Sequence, residues 1–333
     1  MSAPILPYGP DAIAQATAAI RAGDIVAVPT ETVYGLAADA GNADAVARVY
    51  AAKGRPSFNP LIVHVADRAT AETLAVFDDD ARTLADAFWP GPLTLVLPLR
   101  AGAGVASLVT AGLDTVAVRV PAHRAMRDLL AASGRPLAAP SANRSNGISP
   151  TRAAHVVASL GAAAPLVIDD GACAAGVEST IVAGRQVLRP GPVTAEDISR
   201  VLHPDEGRSP VGKAEVAERG GPHERPPPGP RPTPGKQERI TAPGQLATHY
   251  APEKPLRLNA THAEPDEWLI GFGPVAGDDT LSAAGDLTEA AARLFDALHR
   301  ADAGDRSRIA VAPIPATGIG EAINDRLARA AHR

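Results

Sequence analysis

Two cations in the first third of the chain could hold a phosphate group. Lys53 and Arg55 stand two positions apart in the segment Lys53–Pro60, so on an extended backbone both side chains would face one ligand. Lys53 is also the one lysine among the first 200 residues, where the remaining cationic side chains are all arginine. The simpler alternative is that cations at the end of a helix complement its dipole.

The densest polar segment is Pro140–Pro150, which offers hydroxyl, amide and free backbone N–H groups in front of a predicted helix. That arrangement suits an anion, because N–H groups at a helix N-terminus point at the ligand. A loop rich in Asx-turns would have the same composition. Smaller polar segments are Pro29–Leu36, Gly176–Thr180 and Leu188–Gly191. The first of them also has the composition of a loop that leads from a strand into a helix and caps it.

Two ionisable residues stand within predicted strands. His64 lies on the strand Leu61–Val65, and a lone histidine there is more often a structural residue than a ligand. Arg119 lies among valines on the strand Val116–Val120, where an unpaired buried guanidinium would be costly. We therefore expect Arg119 to pair with an anion. A carboxylate of the protein and a carboxylate of a substrate are equally compatible with this pattern.

The elements that would position these residues alternate along the first 200 residues. With Asn42 as an N-cap of the second, the patterns predict helices at 11–22, 43–52, 81–88, 126–132 and 151–160. Strands are predicted at 25–28, 61–65, 93–97, 116–120, 137–139, 166–168 and 180–182. Such alternation is typical of an α/β unit, here with a mixed sheet, and ligands of these sheets bind where strands end.

A change of composition separates this unit from the rest of the chain. Between Pro222 and Pro234 proline dominates, which predicts an extended linker without a core. Beyond it a small α/β pattern predicts strands at 268–272 and 309–312 and helices at 288–299 and 321–331. We predict three parts: a main domain at 1–203, a Pro-rich linker at 204–254 and a small C-terminal α/β domain at 255–333.

Composition restricts the class of protein. Hydrophobic residues make up 45% and charged residues 21% of the chain, as in soluble globular proteins. No window approaches the roughly 18 apolar residues of a membrane span and no signal peptide is visible, so we expect a cytoplasmic protein without membrane contact. The single cysteine excludes multi-cysteine metal centres within this sequence and fits a reducing compartment. A net charge of −5 and 3% aromatic residues disfavour strong direct binding of RNA.

The order of the polar segments indicates a family. The common nucleotide-binding, metalloprotease and hydrolase motifs are missing from the sequence. Together, however, seven segments resemble the YrdC-like family of threonylcarbamoyl-AMP synthases: PTETVYGL, KGRPSFNPLIVHV, FWPGPLT, TVAVRVP, APSANRSNGISPT, GVESTIV and LRPG. The resemblance covers residues 10–202, and GQLATHYAP with the C-terminal module is similar to the longer form of the family. The Pro-rich insert at 205–240 departs from the family pattern.

The resemblance implies a fold, a reaction and a set of ligands. The implied fold is α/β, a twisted open mixed sheet (YrdC-like) with a second, smaller Rossmann-like α/β domain. The implied enzyme is a nucleotidyltransferase that joins L-threonine, bicarbonate and ATP into L-threonylcarbamoyl-AMP and releases pyrophosphate, for threonylcarbamoyladenosine modification of tRNA next to the anticodon. Mg²⁺ is expected on the ATP, without a metal site in the protein. The implied partner is a tRNA-modifying threonylcarbamoyl transferase, with tRNA contacted at most indirectly.

Residue roles are carried over from the matched motifs. The resemblance implies that threonine is bound by Thr32, His64, Arg119, Ala139 and Ser179, with the arginine on its carboxylate. It implies that the nucleotide is held by Arg55, Asn59, Thr115, Ser141, Ser149, Arg189, His249 and Tyr250. The residues expected to act in catalysis are Lys53, Arg55, Ser141 and Asn143.

The segment His249–Pro252 is too specific for a spacer, because it holds an imidazole, an aromatic ring and a proline. We predict that residues 242–252 fold over the nucleotide as a lid and shield the labile adenylate from water, with His249 and Tyr250 touching it. The alternative is that the segment only docks on the C-terminal module.

Three other functions are compatible with parts of the pattern. An RNA-binding or ribosome-assembly module on the same fold is disfavoured by the acidic balance. A carbamoyl transferase of hydrogenase maturation would need cysteine-rich zinc modules, which a single cysteine excludes. A non-catalytic regulator with a degenerate site would not need all of the polar segments.

Overall fold

One mixed sheet organises the N-terminal unit in the computed structural model, which describes residues 3–204 and 249–332. Its strands are β1 (Ile5–Pro7), β2 (Val26–Val28), β3 (Gly35–Asp39), β4 (Ile62–His64), β5 (Leu93–Pro98), β6 (Thr115–Arg119), β7 (Leu137–Ala138), β8 (Leu166–Asp169), β9 (Thr180–Ala183) and β10 (Gln186–Arg189). Their order is β1-β8-β2-β3-β7-β4-β6-β5-β9-β10. Neighbours are parallel, as in β4 and β6, or antiparallel, as in β5 and β6. The predicted mixed α/β sheet is therefore confirmed.

Helices connect these strands. They are α1 (Pro10–Arg21), α2 (Ala43–Lys53), α3 (Arg68–Leu74), α4 (Asp79–Phe88), α5 (Ser107–Thr110), α6 (Arg124–Ser133), α7 (Ala153–Leu160) and α8 (Ala195–Leu202). Asn42 caps α2 as predicted, since its side chain accepts from two backbone N–H groups of the first turn. Gly54 ends this helix in the left-handed region, with φ of 59°. Lys53 is thus the last residue of a helix, and the prediction that it shares an extended segment with Arg55 was wrong.

The segment Pro29–Leu36 does not lead into a helix, so its interpretation as a loop from a strand into a helix was wrong. Gly35 begins β3, which turns back antiparallel to β2 and pairs Val28 with Gly35. All five residues of β3 are buried. A strand covered on both faces shows no polar–apolar alternation, and Gly and Ala have low strand propensity, so periodicity alone could not reveal it.

The C-terminal unit is built on a smaller sheet. Its strands are β11 (Leu256–Arg257), β12 (Glu267–Gly271), β13 (Asp279–Thr280) and β14 (Arg308–Val311), and its helices are α9 (Leu287–Ala303) and α10 (Gly320–Ala331). The order β11-β14-β12-β13 is parallel throughout, which confirms the smaller α/β fold. In the described ranges, no helix combines the length and apolar character needed to cross a membrane. Most of the predicted linker, residues 205–248, lies outside the described residues, so the three-part division stays a prediction.

The two units share a hydrophobic cluster. Side chains of the N-terminal unit, Val33, Ile148 and Val177, pack with Tyr250 and with residues of α9 such as Phe295. All five are buried. Burial of this apolar surface stabilises the docking of the two units.

Candidate active site

The candidate active site is a cavity at one end of the strands of the large sheet. Strands β2, β4 and β6 end there, and β9 begins there. The space between its walls is about 580 Å³, counted with the solvent at its open side. Its walls include all residues predicted for threonine, namely Thr32, His64, Arg119, Ala139 and Ser179. From the set predicted for the nucleotide, they include Arg55, Ser141, Arg189, His249 and Tyr250.

The other predicted residues lie outside the cavity walls: Lys53, Asn59, Thr115, Asn143 and Ser149. Asn59 is buried, and its backbone oxygen accepts hydrogen bonds from Tyr50 and Arg55. Thr115 begins β6, four residues before Arg119, which corresponds to roughly 13 Å along a strand. The structure therefore does not bring Thr115 to the same end of β6 as the arginine.

Arg119 is held at the end of β6 by three partners. Its Nη1 donates to Thr32 Oγ1 at 3.0 Å, its Nε donates to the Gly91 oxygen at 3.1 Å, and Nη2 lies 2.6 Å from Glu31 Oε1. Burial would raise the pKa of Glu31, but the facing guanidinium outweighs it and the pKa is lowered. A protein carboxylate thus meets Arg119, and the sequence prediction had not given Glu31 a role.

His64 reaches the cavity as a neutral imidazole. The residue is buried on β4, and its Nδ1 has no hydrogen-bond partner among the described residues. Burial, and secondarily Arg119, lower the pKa of His64 to about 3. A buried nitrogen without a protein partner is uncommon, and a ligand in the cavity would give this one a partner.

A pH dependence of stability follows from such histidines. Burial also lowers the pKa of His249 and of His299 to about 3. Below about pH 6.5 the unfolded chain binds protons that the folded chain does not, so stability is lost as the pH falls. We expect the free energy of unfolding to drop by about 1 kcal/mol per histidine and pH unit, measured by urea denaturation from pH 7 to 5. A His64→Gln variant should show a shallower slope, and an unchanged slope would contradict the assignment.

Lys53 bonds the polar loop at 140–150 and lies outside the cavity wall. Its Nζ donates to the backbone oxygens of Ser141 at 2.6 Å and of Asn143 at 2.5 Å. The Asn143 amide in turn donates to the Gly147 oxygen at 2.8 Å. Burial and the neighbouring Arg55 hold the pKa of Lys53 well below its usual range. In this arrangement Lys53 shapes the loop that carries Ser141 into the cavity wall.

Two further arginines of the wall are fixed by backbone oxygens. Arg55 donates from Nε to the Asn59 oxygen at 3.2 Å and from Nη2 to the Pro60 oxygen at 2.9 Å. Arg189 donates from Nη2 to the Ser179 oxygen at 2.8 Å. Burial lowers the pKa of both; that of Arg55 falls to about 10, so this guanidinium keeps its charge at neutral pH.

The wall also contains Glu178, which had no predicted role. Ser149 Oγ donates to Glu178 Oε1 at 2.5 Å, and Arg326 of α10 donates from Nε to Glu178 Oε2 at 3.0 Å. Burial would raise the pKa of this carboxyl, but Arg326 and then Arg189 outweigh it and the pKa is lowered. Ser149 therefore lies behind the wall, where it holds a carboxylate. Nothing in the sequence linked Arg326 to a residue 148 positions earlier.

His249 and Tyr250 close one side of the cavity. Both are buried, and the Ala251 N–H donates to the Asn146 oxygen at 2.8 Å, which ties the segment to the polar loop. His249 Nδ1 and the Tyr250 hydroxyl have no hydrogen-bond partner among the described residues. Of the predicted lid at 242–252, residues 242–248 lie outside the described part, so the lid itself stays a prediction.

The charges of the wall suit an anionic ligand. Arg55, Arg119 and Arg189 face the cavity together with one carboxylate, Glu178. Within the ranges 3–204 and 249–332, no cluster of three or more His, Cys, Asp or Glu side chains is arranged for a metal ion. Fixed cations in a confined site can offset the charge of phosphate and carboxylate groups brought close together.

Two family models together match nearly the whole chain. A model described as Telomere recombination (Sua5_yciO_yrdC) matches residues 18–191, and one described as Threonylcarbamoyl-AMP synthase, C-terminal domain, matches residues 193–332. The Threonylcarbamoyl-AMP synthase of Bacillus subtilis (strain 168) is 40% identical and covers 96% of this chain and 92% of its own length. The protein of the same name from Pyrococcus abyssi (strain GE5 / Orsay) is 37% identical and covers 93% and 91%.

Solved structures share this fold. P. abyssi Sua5 complexed with L-threonine has a TM-score of 0.80 and 34% identity, and the match covers 99% of this chain and 98% of that one. A variant of P. abyssi Sua5 with an adjacent histidine and tyrosine replaced by alanine also has a TM-score of 0.80, at 33% identity over 99% and 96%. Both matches span the two sheets described above.

Proposed function

Since the chain belongs to the threonylcarbamoyl-AMP synthase family, in the form with a second C-terminal domain, we propose that it makes L-threonylcarbamoyl-AMP from L-threonine, bicarbonate and ATP. Pyrophosphate is the second product, and the adenylate serves threonylcarbamoyladenosine modification of tRNA next to the anticodon. The observation that carries the proposal is the cavity, where three arginines face residues with unpartnered polar atoms.

The threonine end of the cavity lies around Arg119. Its guanidinium would pair with the threonine carboxylate while Thr32 and Glu31 hold it in place. The free Nδ1 of His64 can hydrogen-bond a polar group of the amino acid, because burial keeps this imidazole neutral. Ser179 completes this side; its hydroxyl shares a 2.7 Å hydrogen bond with that of Thr94.

The nucleotide end lies around Arg55 and Arg189. Both guanidiniums line the cavity, from different segments of the chain, so both would contact the triphosphate. Ser141 offers a hydroxyl on the loop that Lys53 holds. We assign Lys53 to support of that loop and Arg55 to direct contact with the phosphates.

The reaction needs positioning and charge compensation more than covalent help. The threonine amine attacks the carbon of bicarbonate, water leaves, and the resulting carbamate oxygen attacks the α-phosphate, with pyrophosphate as the leaving group. Three anionic partners must approach each other, and arginines fixed in advance lower the electrostatic cost of that approach.

The proposal is tested by incubating the protein with threonine, bicarbonate and ATP. Pyrophosphate release and an adenylate of the expected mass should appear together, and omission of threonine or of bicarbonate should abolish both. Pyrophosphate released equally without threonine would contradict the proposal. Tight binding of tRNA in a filter assay without ATP would instead support the RNA-binding alternative.

Mg²⁺ would enter with ATP. The carboxylate in the cavity wall, Glu178, is already engaged by Arg326 and Ser149, so the residues present fit a metal carried by the triphosphate better than one held by the protein. When bound, the metal would neutralise phosphate charge. We further propose a cytoplasmic location and delivery of the adenylate to a tRNA-modifying threonylcarbamoyl transferase, with tRNA contacted at most indirectly; the buried, unpaired Cys173 is compatible with a reducing compartment.

Replacement of Tyr250 tests the predicted shielding of the adenylate. Tyr250→Ala should lower the yield of adenylate per pyrophosphate released, because water would reach the product. Tyr250→Phe is the control for the ring itself, since it removes only the hydroxyl. The measured ratio of adenylate to pyrophosphate should stay near one in Tyr250→Phe. It should fall roughly several-fold in Tyr250→Ala, because the active site loses part of its cover. Equal ratios in all three proteins would contradict the lid.

A further inference from the structure

Arg326 is a charged side chain of the C-terminal unit that bonds a residue of the cavity wall. It lies on α10 and is 0% exposed, although it carries a guanidinium. Nε donates to Glu178 Oε2 at 3.0 Å, and Nη1 donates to the Pro190 oxygen at 2.7 Å. Asp325 provides a second carboxylate at 2.9 Å. The fork of the guanidinium therefore bonds both a side chain and the backbone of the N-terminal unit.

The same guanidinium lies over an aromatic ring. Its central carbon is 5.4 Å from the centroid of Tyr250, within the range of a cation–π contact. Tyr250 and Glu178 both line the cavity, whereas Arg326 does not. One buried cation thus contacts two residues of the wall that come from different segments of the chain.

Stability of the docked units gives no reason for this arrangement. The apolar cluster around Val33, Val177 and Phe295 already joins them. A buried ion pair contributes little net stability, because desolvation of both charges offsets their attraction. At another point of the interface Arg152 pairs with Asp296 at 2.9 Å, and there the arginine side chain stays half exposed. The buried pair must therefore be explained by what it holds in place.

We infer that Arg326 is a positioning residue of the active site, which fixes the Glu178 carboxylate and the Tyr250 ring at the nucleotide end of the cavity. The inference rests on the proposed function for its kinetic consequences. It gives the C-terminal unit a defined part in assembling the site, through one side chain that does not touch the substrate.

Loss of Arg326 should also change the titration of the site. The groups that face Glu178 are Arg326 from α10, Arg189 from β10, Lys53 from α2, and His249 with Tyr250. Without Arg326, burial would raise the pKa of the Glu178 carboxyl. The acid limb of the pH profile of kcat/KM should then move to higher pH, which a structural support of the fold would not cause.

The experiment compares Arg326→Gln and Arg326→Lys with Arg152→Ala in the full-length chain. Arg152→Ala is the matched control, because it removes an arginine that crosses the same interface to Asp296, a residue that does not line the cavity. For Arg326→Gln we expect kcat to fall by about tenfold to a hundredfold, as misplacement of a positioning group does, with the threonine KM little changed. Arg326→Lys keeps the charge, so its acid limb should stay in place while kcat still falls, since an ammonium cannot bond Glu178 and Pro190 as a fork.

Hydrogen–deuterium exchange of the segment His249–Ala251 provides a readout that does not depend on activity. Arg326→Gln should speed exchange there without ligand, whereas Arg152→Ala should match the unaltered protein. If Arg326→Gln fails to fold, as thermal denaturation would reveal, Arg326→Lys carries the comparison. Exchange and kcat equal to those of Arg152→Ala would overturn the inference. If the unaltered protein makes no adenylate, the proposed function fails, and the exchange result alone decides the positioning role.

Discussion

Arg119→Ala is expected to raise the threonine KM by about tenfold to a hundredfold, because a charge-assisted pair with the carboxylate is worth about 1.5–3 kcal/mol. The ATP KM should change much less, since Arg55 and Arg189 face the nucleotide end. Initial rates of pyrophosphate release at varied threonine and fixed ATP, then the reverse, separate the two constants.

The control for this change is Arg124→Ala. Arg124 lies five residues further on, is largely exposed, and pairs with Asp170 at 2.5 Å. It should leave both constants unaltered. If Arg119→Ala lowers thermal stability but moves both KM values equally, then Arg119 serves the fold through Glu31 rather than the substrate.

Arg55→Ala is expected to reduce pyrophosphate release by about two to three orders of magnitude, because one of the two cations that would contact the triphosphate is lost in a site shielded from water. Threonine binding, measured by calorimetry without ATP, should persist. The residue bonds the backbone oxygens of Asn59 and Pro60 and the nearby Tyr50 hydroxyl, all close to it in sequence, so the fold should tolerate the change.

Arg48→Ala is the matched control for that experiment. Arg48 lies on α2, close in sequence, and forms an exposed pair with Asp24 at 2.6 Å. Such exposed pairs contribute about 0–1 kcal/mol to stability and should not affect turnover. Normal rates in Arg55→Ala with unchanged ATP affinity would remove this arginine from the phosphate site.

Much of the fold could be predicted from local patterns. The strand that ends at Arg119 and the helix capped by Asn42 follow from periodicity and capping chemistry. The strand β3 could not be predicted, because it is buried on both faces and three of its five residues are Gly or Ala. Helix α8 was also missed, although Thr194 and Asp197 form a capping box that the sequence could have revealed.

The site was predictable to the extent that its residues belong to ordered motifs. Ten of the predicted residues meet in the cavity wall, which no single motif implied. Glu31 and Glu178 stood in the quoted segments, but only the structure identifies the arginines that they face. Arg326 occupies a helix whose pattern is that of an ordinary amphipathic helix, so its partner could not be found without the tertiary fold.

The apolar cluster shared by the two units has a bearing on how the protein can be dissected. The C-terminal unit covers Val33, Ile148 and Val177. A chain truncated at residue 204 would therefore expose these side chains to water as a hydrophobic patch. Poor solubility or self-association of such a fragment is the expected outcome. Loss of activity in a truncated protein could then result from aggregation as well as from the loss of residues that act in the site. Single-residue replacement therefore separates the roles of the two units more clearly than truncation does.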